Sequence, residues 1–296
     1  MTWVILAGGT AVLYALHGGW SKRVAGRVGP LVAAWALFAA ALPLLALYLA
    51  VQGVPEVNPR FWPVLGVNLV LNLAAAYLFL SALDAGELGV TYPLLTLTPV
   101  MVVPIEFLLL GEWPGPWGAV GIGMVVAGIY LLNFSDHRVG LLEPFRVLAR
   151  STGARRTLAV AAIWSVSGTL DRVAVLESSP AFYGVALAGG LALLFIPVIR
   201  IVRSHERARG GPPNPWLPPG AGLLFAVHGI LFASMFILQM EALRLALASY
   251  VLSVKRTGAI LAVVLGWAAF REGAFGHRLI GAVVSVAGVA VLVLFG

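Results

Sequence analysis

The stretch FWPVLGVNLVLNLAAAYLFLSAL, residues 61–83, runs for 23 residues without a charged side chain. A helix rises about 1.5 Å per residue, so this segment reaches roughly 34 Å, slightly more than the ~30 Å hydrocarbon core of a bilayer. In lipid the backbone must satisfy its own hydrogen bonds, which restricts spans to helices and closed barrels, and barrel strands are alternating segments of only ~10 residues. Residues 61–83 therefore read as a membrane helix. The same reading extends outward to ten apolar blocks, at 2–20, 30–51, 61–83, 89–110, 115–133, 156–176, 181–202, 219–243, 248–270 and 275–295. The expected fold class is an all-α integral membrane protein of ten transmembrane helices.

Composition agrees. The 296-residue chain is 60 % hydrophobic and 10 % charged, with a mean hydropathy of +0.97. Soluble domains carry about 25 % charged residues, so a water-soluble fold is excluded, and disorder needs the opposite composition. There is no Cys, which removes disulfides, thiolate chemistry and Cys-type metal sites. Five scattered His residues show no metal spacing, and no cofactor is implied. No GxxxxGK[ST] phosphate loop, no Ser/His/Asp order and no paired-carboxylate motif occurs, so ATP-driven pumping and hydrolysis are not expected. The net charge of +7 comes from basic residues between apolar blocks, a pattern of membrane-surface loops rather than nucleic-acid binding. No basic segment precedes the first block and no small-residue cleavage site follows it, so it is expected to remain as a span.

The chain repeats itself. Shifted by 160 residues, blocks three to five fall on blocks eight to ten: Ala82-Leu83 meets Ala242-Leu243, Glu112 meets Glu272, Gly121 meets Gly281 and Gly128 meets Gly288. Blocks one and two align at a shift of 150, with Gly18 on Gly168 and Pro30 on Pro180. Each half holds five blocks, an odd number, so the second half enters from the opposite side. The expected organisation is an inverted repeat, with an N-terminal five-helix unit at 1–136, a cytoplasmic linker at 137–154 and a C-terminal unit at 155–296. Transporters with this plan bind substrate near the midplane, between the repeats.

Several segments resemble the EamA-like members of the drug/metabolite transporter superfamily. They are Gly18–Arg23, Gly89-Val90-Thr91-Tyr92-Pro93, Leu110-Gly111-Glu112, and Gly121 to Gly128 followed by Tyr130-Leu131-Leu132-Asn133. The resemblance covers the whole chain and implies secondary transport of small metabolites or drugs across the inner membrane. Related small multidrug resistance proteins rely on a Glu in their first helix. The matching positions here hold Ala15 and Ser165, which argues against proton/drug-cation antiport of that kind. The run Ser253-Val254-Lys255-Arg256 is similar to the Lys-Arg pair with which triose-phosphate/phosphate translocators hold phosphate. Carried over, it implies that Lys255 and Arg256 bind an anionic group.

The residues themselves leave more than one reading. Lys255 lies seven residues into its block, at a depth where a cation costs about 2.5–3.5 kcal/mol. The pair either joins carboxylates on neighbouring helices or binds an anionic substrate. Its repeat counterparts are Leu95 and Thr96, so the architecture works without cations at that place. Arg172 is a candidate third donor, although Asp171 beside it could neutralise it. Glu106 is either a coupling site for a proton or cation, or the ion-pair partner of Lys255, Arg256 or Arg172. Glu112 and Glu272 recur at both turns and read as structural. Tyr14, Trp164 and Tyr92 are expected to line a substrate cavity, with Tyr14 and Trp164 at repeat-equivalent places. Asn68, Asn72, His17 and His228 are each expected to bond between helices. Pro93, Pro99 and Pro104 loosen the fourth block.

The expected function is alternating-access transport of small metabolites, with anionic, phosphate- or carboxylate-bearing substrates favoured by the cationic pair. Export of organic cations or amino acids is one alternative, and a non-transporting scaffold or accessory subunit another. A scaffold does not need the intramembrane set Glu106, Arg172, Lys255 and Arg256. The partners expected are substrate, membrane lipid and a coupling proton or counter-substrate, on a monomeric protein.

Loops after the odd-numbered blocks carry fourteen Lys and Arg, against three (Arg60, Arg172 and Arg244) on the other side. The basic side belongs in the cytoplasm, which places both termini outside. A Gly210→Cys variant of this Cys-free chain should resist an impermeant maleimide in intact cells and react after permeabilisation. Labelling in intact cells would reverse the orientation.

Overall fold

A computed structural model of the chain describes residues 1–84, 92–133, 151–208, 220–261 and 275–296. Among these residues there are ten α-helices and no strand. They are α1 (Thr2–Val28), α2 (Pro30–Gln52), α3 (Phe61–Asp84), α4 (Thr98–Leu110), α5 (Pro116–Asn133), α6 (Thr152–Leu176), α7 (Pro180–Ala208), α8 (Ala221–Leu245), α9 (Ala248–Arg256) and α10 (Phe275–Phe295). Each falls on one apolar block. The breaks follow local chemistry. Gly111 sits at φ 71° and ψ 11°, the left-handed conformation that closes α4 without a Cβ clash, and its N–H reaches Phe107 O. Pro30 occupies the first turn of α2, where its missing N–H costs nothing.

Five helices are long and apolar enough to cross a bilayer, at Pro30–Gln52, Phe61–Phe79, Thr152–Leu176, Pro180–His205 and Ala221–Leu245. Leu94–Leu110, Pro116–Leu131 and Ile280–Phe295 are shorter apolar helices. The ten-span expectation is thus met by length and composition in five helices. Large apolar side chains point outward all around the bundle: Ile5, Leu108 and Leu223 are each more than 70 % exposed. In water such a surface would drive association; in lipid it is the expected contact.

The fourth block is not one regular helix. Tyr92–Leu97 forms a 3₁₀ helix that runs into α4, with Pro99 in the first turn of α4 and Pro104 inside it. Pro104, inside α4, removes an i→i−4 bond, and with the 3₁₀ segment before it this block carries the irregular backbone that its sequence predicts.

The halves pack through each other. α1 lies on α8 and α3 on α6; α4 lies on α6 and α1 on α9; α2 lies on α8 and α3 on α7. The remaining large contacts include α2 with α7, α5 with α10 and α4 with α9. Exchanging each helix with the one five places later maps this set onto itself, which is the contact pattern of a two-fold relation between repeats. The core is therefore shared by the two halves.

The α5–α10 seam is the most extensive and brings two backbones close. A Cβ added to Gly128 would lie 2.5 Å from Gly281 O, and one on Gly288 would lie 2.7 Å from Val125 N. Ser285 Oγ donates to Val125 O at 3.3 Å across the seam. The glycines spaced by seven thus let two backbones touch, as small residues do between membrane helices. Gly128→Val and Gly288→Val should each destabilise the detergent-purified protein by about 1–3 kcal/mol, read as a lower melting temperature. Gly123→Val, on the open face of α5 with nothing within 4 Å, should be near neutral.

Candidate functional site

α9 is short and begins abruptly after Leu247, leaving its first amides without partners inside the helix. Glu106, fully buried on α4, supplies them: Ala248 N–H donates to Oε1 at 2.5 Å and Ser249 N–H to Oε2 at 3.2 Å. The carboxylate also meets the positive end of the α9 dipole. Arg172 of α6 completes the arrangement, with Nη1 3.6 Å from Glu106 Oε1 and Nη2 2.8 Å from Glu112 Oε1. Three elements are thereby tied at one layer: α4 with its closing turn, α6 and the start of α9.

This layer settles the position of Arg172. The sequence reading made it a candidate third donor beside Lys255 and Arg256. Its guanidinium instead lies between two carboxylates at the start of α9, while the pair sits seven residues further on, ~10 Å along the helix axis. Asp171 does not neutralise its neighbour either. Successive helix residues point ~100° apart, and Asp171 Oδ1 accepts from Tyr183 OH at 2.5 Å and Asn68 Nδ2 at 2.8 Å.

Lys255 and Arg256 close the last turn of α9. Lys255 Nζ donates to Gln239 Oε1 at 2.6 Å and lies 5.3 Å from the Tyr14 ring centre. Arg256 Nη1 donates to Tyr14 OH at 3.4 Å and Nη2 to Thr98 Oγ1 at 3.2 Å, and its guanidinium carbon is 5.9 Å from the Trp164 ring centre. Thr98 is free to accept because its own hydroxyl hydrogen goes to Leu95 O, at 2.7 Å. Tyr14, Trp164, Lys255 and Arg256 all keep part of their surface accessible among buried neighbours. Among the described residues neither cation forms an ion pair with a carboxylate. Both are held by neutral groups: an amide oxygen, two hydroxyls and two aromatic faces.

The structure therefore brings Lys255, Arg256, Tyr14 and Trp164 together and places Arg172 and Glu106 elsewhere. The side chain of Tyr92 lies outside the described residues. Thr98 and Gln239 were missed; a lone Gln in the apolar eighth block was the available signal for the latter. Of the buried polar residues, Asn68 bonds to Asp171 and Tyr183, Asn72 to Ser167 at 3.1 Å, and His228 Nε2 to Ala33 O at 3.3 Å, each between helices. His17 differs. Its hydrogen bond is to Ser21 on its own helix, and it reaches α8 by stacking on His228 with ring centres 4.9 Å apart.

Comparison with protein families matches residues 1–134 and 153–294 to the EamA-like transporter family, so both halves are covered. A solved structure described as "Crystal structure of protein" superposes with a TM-score of 0.74 at 20 % identity, over 98 % of this chain and 97 % of that chain. At that identity the likeness concerns fold alone. Curated proteins return no match.

Removing one partner of a buried ion pair strands the other. Glu106→Gln should lower stability by about 3 kcal/mol, measured as a melting temperature in detergent. Adding Arg172→Met should recover part of the loss. Recovery with Lys255→Met instead would show that Glu106 answers a different cation.

Proposed function

The chain belongs to the EamA-like transporter family and is a multi-pass membrane transporter of small molecules; from that premise we propose that it is an alternating-access secondary transporter of small anionic metabolites. The observation that carries this reading is the pair Lys255 and Arg256, held only by neutral groups among the described residues. Two cations with no ion pair among the described residues are costly in a low-dielectric interior, and an anion seated between them removes that cost. Arg256 supplies a planar fork suited to carboxylate or phosphate, and Lys255 a compact point charge. Tyr14 touches both, so it sets the angle between two side chains that leave the helix in different directions.

The same geometry weighs against organic cations. The faces of Tyr14 and Trp164, which would form an aromatic box, are already covered by Lys255 and Arg256. Glu106 serves as the anchor of α9 in this reading. With the basic loops in the cytoplasm, the Glu106–Arg172–Glu112 layer lies on the outer side of the site, and the shared core between repeats provides the surface over which they rock.

Ligands that bind only the folded protein raise its melting temperature. Among phosphates, carboxylates and sulfate, we expect stabilisation by at least one class. Arg256→Ala should weaken that binding by roughly ten- to a hundredfold, the worth of a charge-assisted hydrogen bond. Lys255→Ala should abolish it, and Arg256→Lys should weaken it despite keeping the charge. Stabilisation by neutral or cationic compounds alone, unchanged in Lys255→Ala and Arg256→Ala, would return the pair to a structural role.

A further inference from the structure

The chain has two glutamines, Gln52 at the exposed end of α2 and Gln239 inside the apolar eighth block. Gln239 is only 6 % exposed, and its Oε1 accepts from Lys255 Nζ at 2.6 Å. An ammonium has donors and no acceptor, so the oxygen is the end of the carboxamide that faces Lys255. The Nε2 end then carries two N–H donors, and among the described residues neither meets an acceptor. The fully enclosed side-chain atoms without a partner belong, among those residues, to Glu112, Arg172, His228 and Ser249. Gln239 Nε2 is not one of them, so it reaches the small accessible surface that Gln239 keeps.

Direct contacts join Gln239 to the rest of the site. Lys255 Nζ touches Gln239 and lies 5.3 Å from the Tyr14 ring centre, and Tyr14 OH accepts from Arg256 Nη1 at 3.4 Å. The fold does not require an amide at this place. At a shift of 160 residues Gln239 meets Phe79, which packs on Trp164 with ring centres 5.8 Å apart. Trp164 is in turn the repeat equivalent of Tyr14. One half thus fills the place with an apolar ring against an aromatic wall, and the other with an amide against a cation. Burying N–H groups without acceptors costs free energy. The amide therefore calls for an acceptor that the described residues do not supply.

We propose that Gln239 is the third donor to the substrate anion and determines its shape. It selects a group with three terminal oxygens, of the phosphate- or sulfate-ester class, over a carboxylate. This rests on the anion reading of Lys255 and Arg256. Lys255 keeps donors beyond the one given to Gln239, and Arg256 keeps donors beyond those given to Tyr14 and Thr98. A carboxylate is planar and has two oxygens, which the two cations satisfy between them, leaving Gln239 Nε2 unmet. A tetrahedral group has a third oxygen outside that plane, and Nε2 reaches it from α8. The amide carries no net charge, so it adds little attraction for anions in general. Its contribution is discrimination, because a ligand that lacks the third oxygen leaves a buried donor unpaired.

Methanesulfonate and acetate are suitable probes, because both carry a single charge near neutral pH and they differ in having three oxygens or two. Each is titrated, at matched ionic strength, into the purified full-length protein in detergent, with melting temperature as the readout. The wild type should bind methanesulfonate about tenfold more tightly than acetate, the worth of one hydrogen bond to a charged group. Gln239→Met keeps the length of the side chain and removes the amide. It should abolish that preference by weakening methanesulfonate while leaving acetate nearly unchanged. A residue that merely positioned Lys255 would weaken both probes alike. Lys255→Met should lose both. A further arm uses glutamine labelled with ¹⁵N in the side chain, which gives two amide signals; the one that survives in Gln52→Glu belongs to Gln239. Methanesulfonate should shift that signal and acetate should not. No preference in the wild type, equal losses in Gln239→Met, or an amide signal unmoved by methanesulfonate overturns the proposal. Absence of stabilisation by either probe in the wild type, or stabilisation unchanged in Lys255→Met, overturns instead the anion reading beneath it.

Discussion

A carboxylate buried in a helix bundle must be met by positive charge and N–H groups, and Glu106 is met by both. Two amides at the start of α9 and the guanidinium of Arg172 converge on it. The consequences reach beyond that contact. α9 can begin abruptly, because its first amides have an acceptor that is not water. α6 is fixed against α4, because Arg172 spans Glu106 and Glu112. The last turn of α9 then has a defined position relative to α1, α6 and α8, which is where Tyr14, Trp164 and Gln239 meet Lys255 and Arg256. Alignment of the cationic pair depends on an ion pair a full two turns away.

The repeat supplies a nearly symmetric scaffold, and the chemistry is asymmetric. At the place of Lys255 and Arg256 the first half has Leu95 and Thr96, both buried, in a 3₁₀ helix rather than an α-helix. The 3₁₀ turn brings Thr98 to the end of the irregular segment, where its hydroxyl accepts from Arg256. One half thus contributes two cations and the other two hydroxyl acceptors, on Tyr14 and Thr98.

Neutral partners recur throughout the interior. Lys255 rests on an amide, Arg256 on two hydroxyls, and Asp171 on a phenol and an amide. Such bonds hold a charged side chain in place without cancelling its charge. That distinguishes these three residues from Glu106 and Arg172, whose charges cancel each other.

The membrane class, the ten helices and the two-fold organisation were legible in the sequence because they follow from local quantities: block length, hydropathy and spacing. So was the seam between α5 and α10, since glycines spaced by seven describe one helix face. Tyr14 and Trp164, which stand at repeat-equivalent places, both meet the cationic pair. Partner choice among the buried charges was not legible. Asp171 and Arg172 are neighbours in the chain, and helix geometry sends them to different helices, one to Asn68 and Tyr183 and the other to Glu106 and Glu112. Gln239 and Thr98 carry no signal by themselves, because a neutral polar residue becomes a ligand-site residue only when another helix places a cation within hydrogen-bond reach. The sequence by itself determined which segments form apolar helices and how they repeat, since block length and hydropathy are local quantities. Only the tertiary structure decided which cations, among the described residues, meet neutral partners rather than carboxylates, since that depends on distances between side chains far apart in the chain.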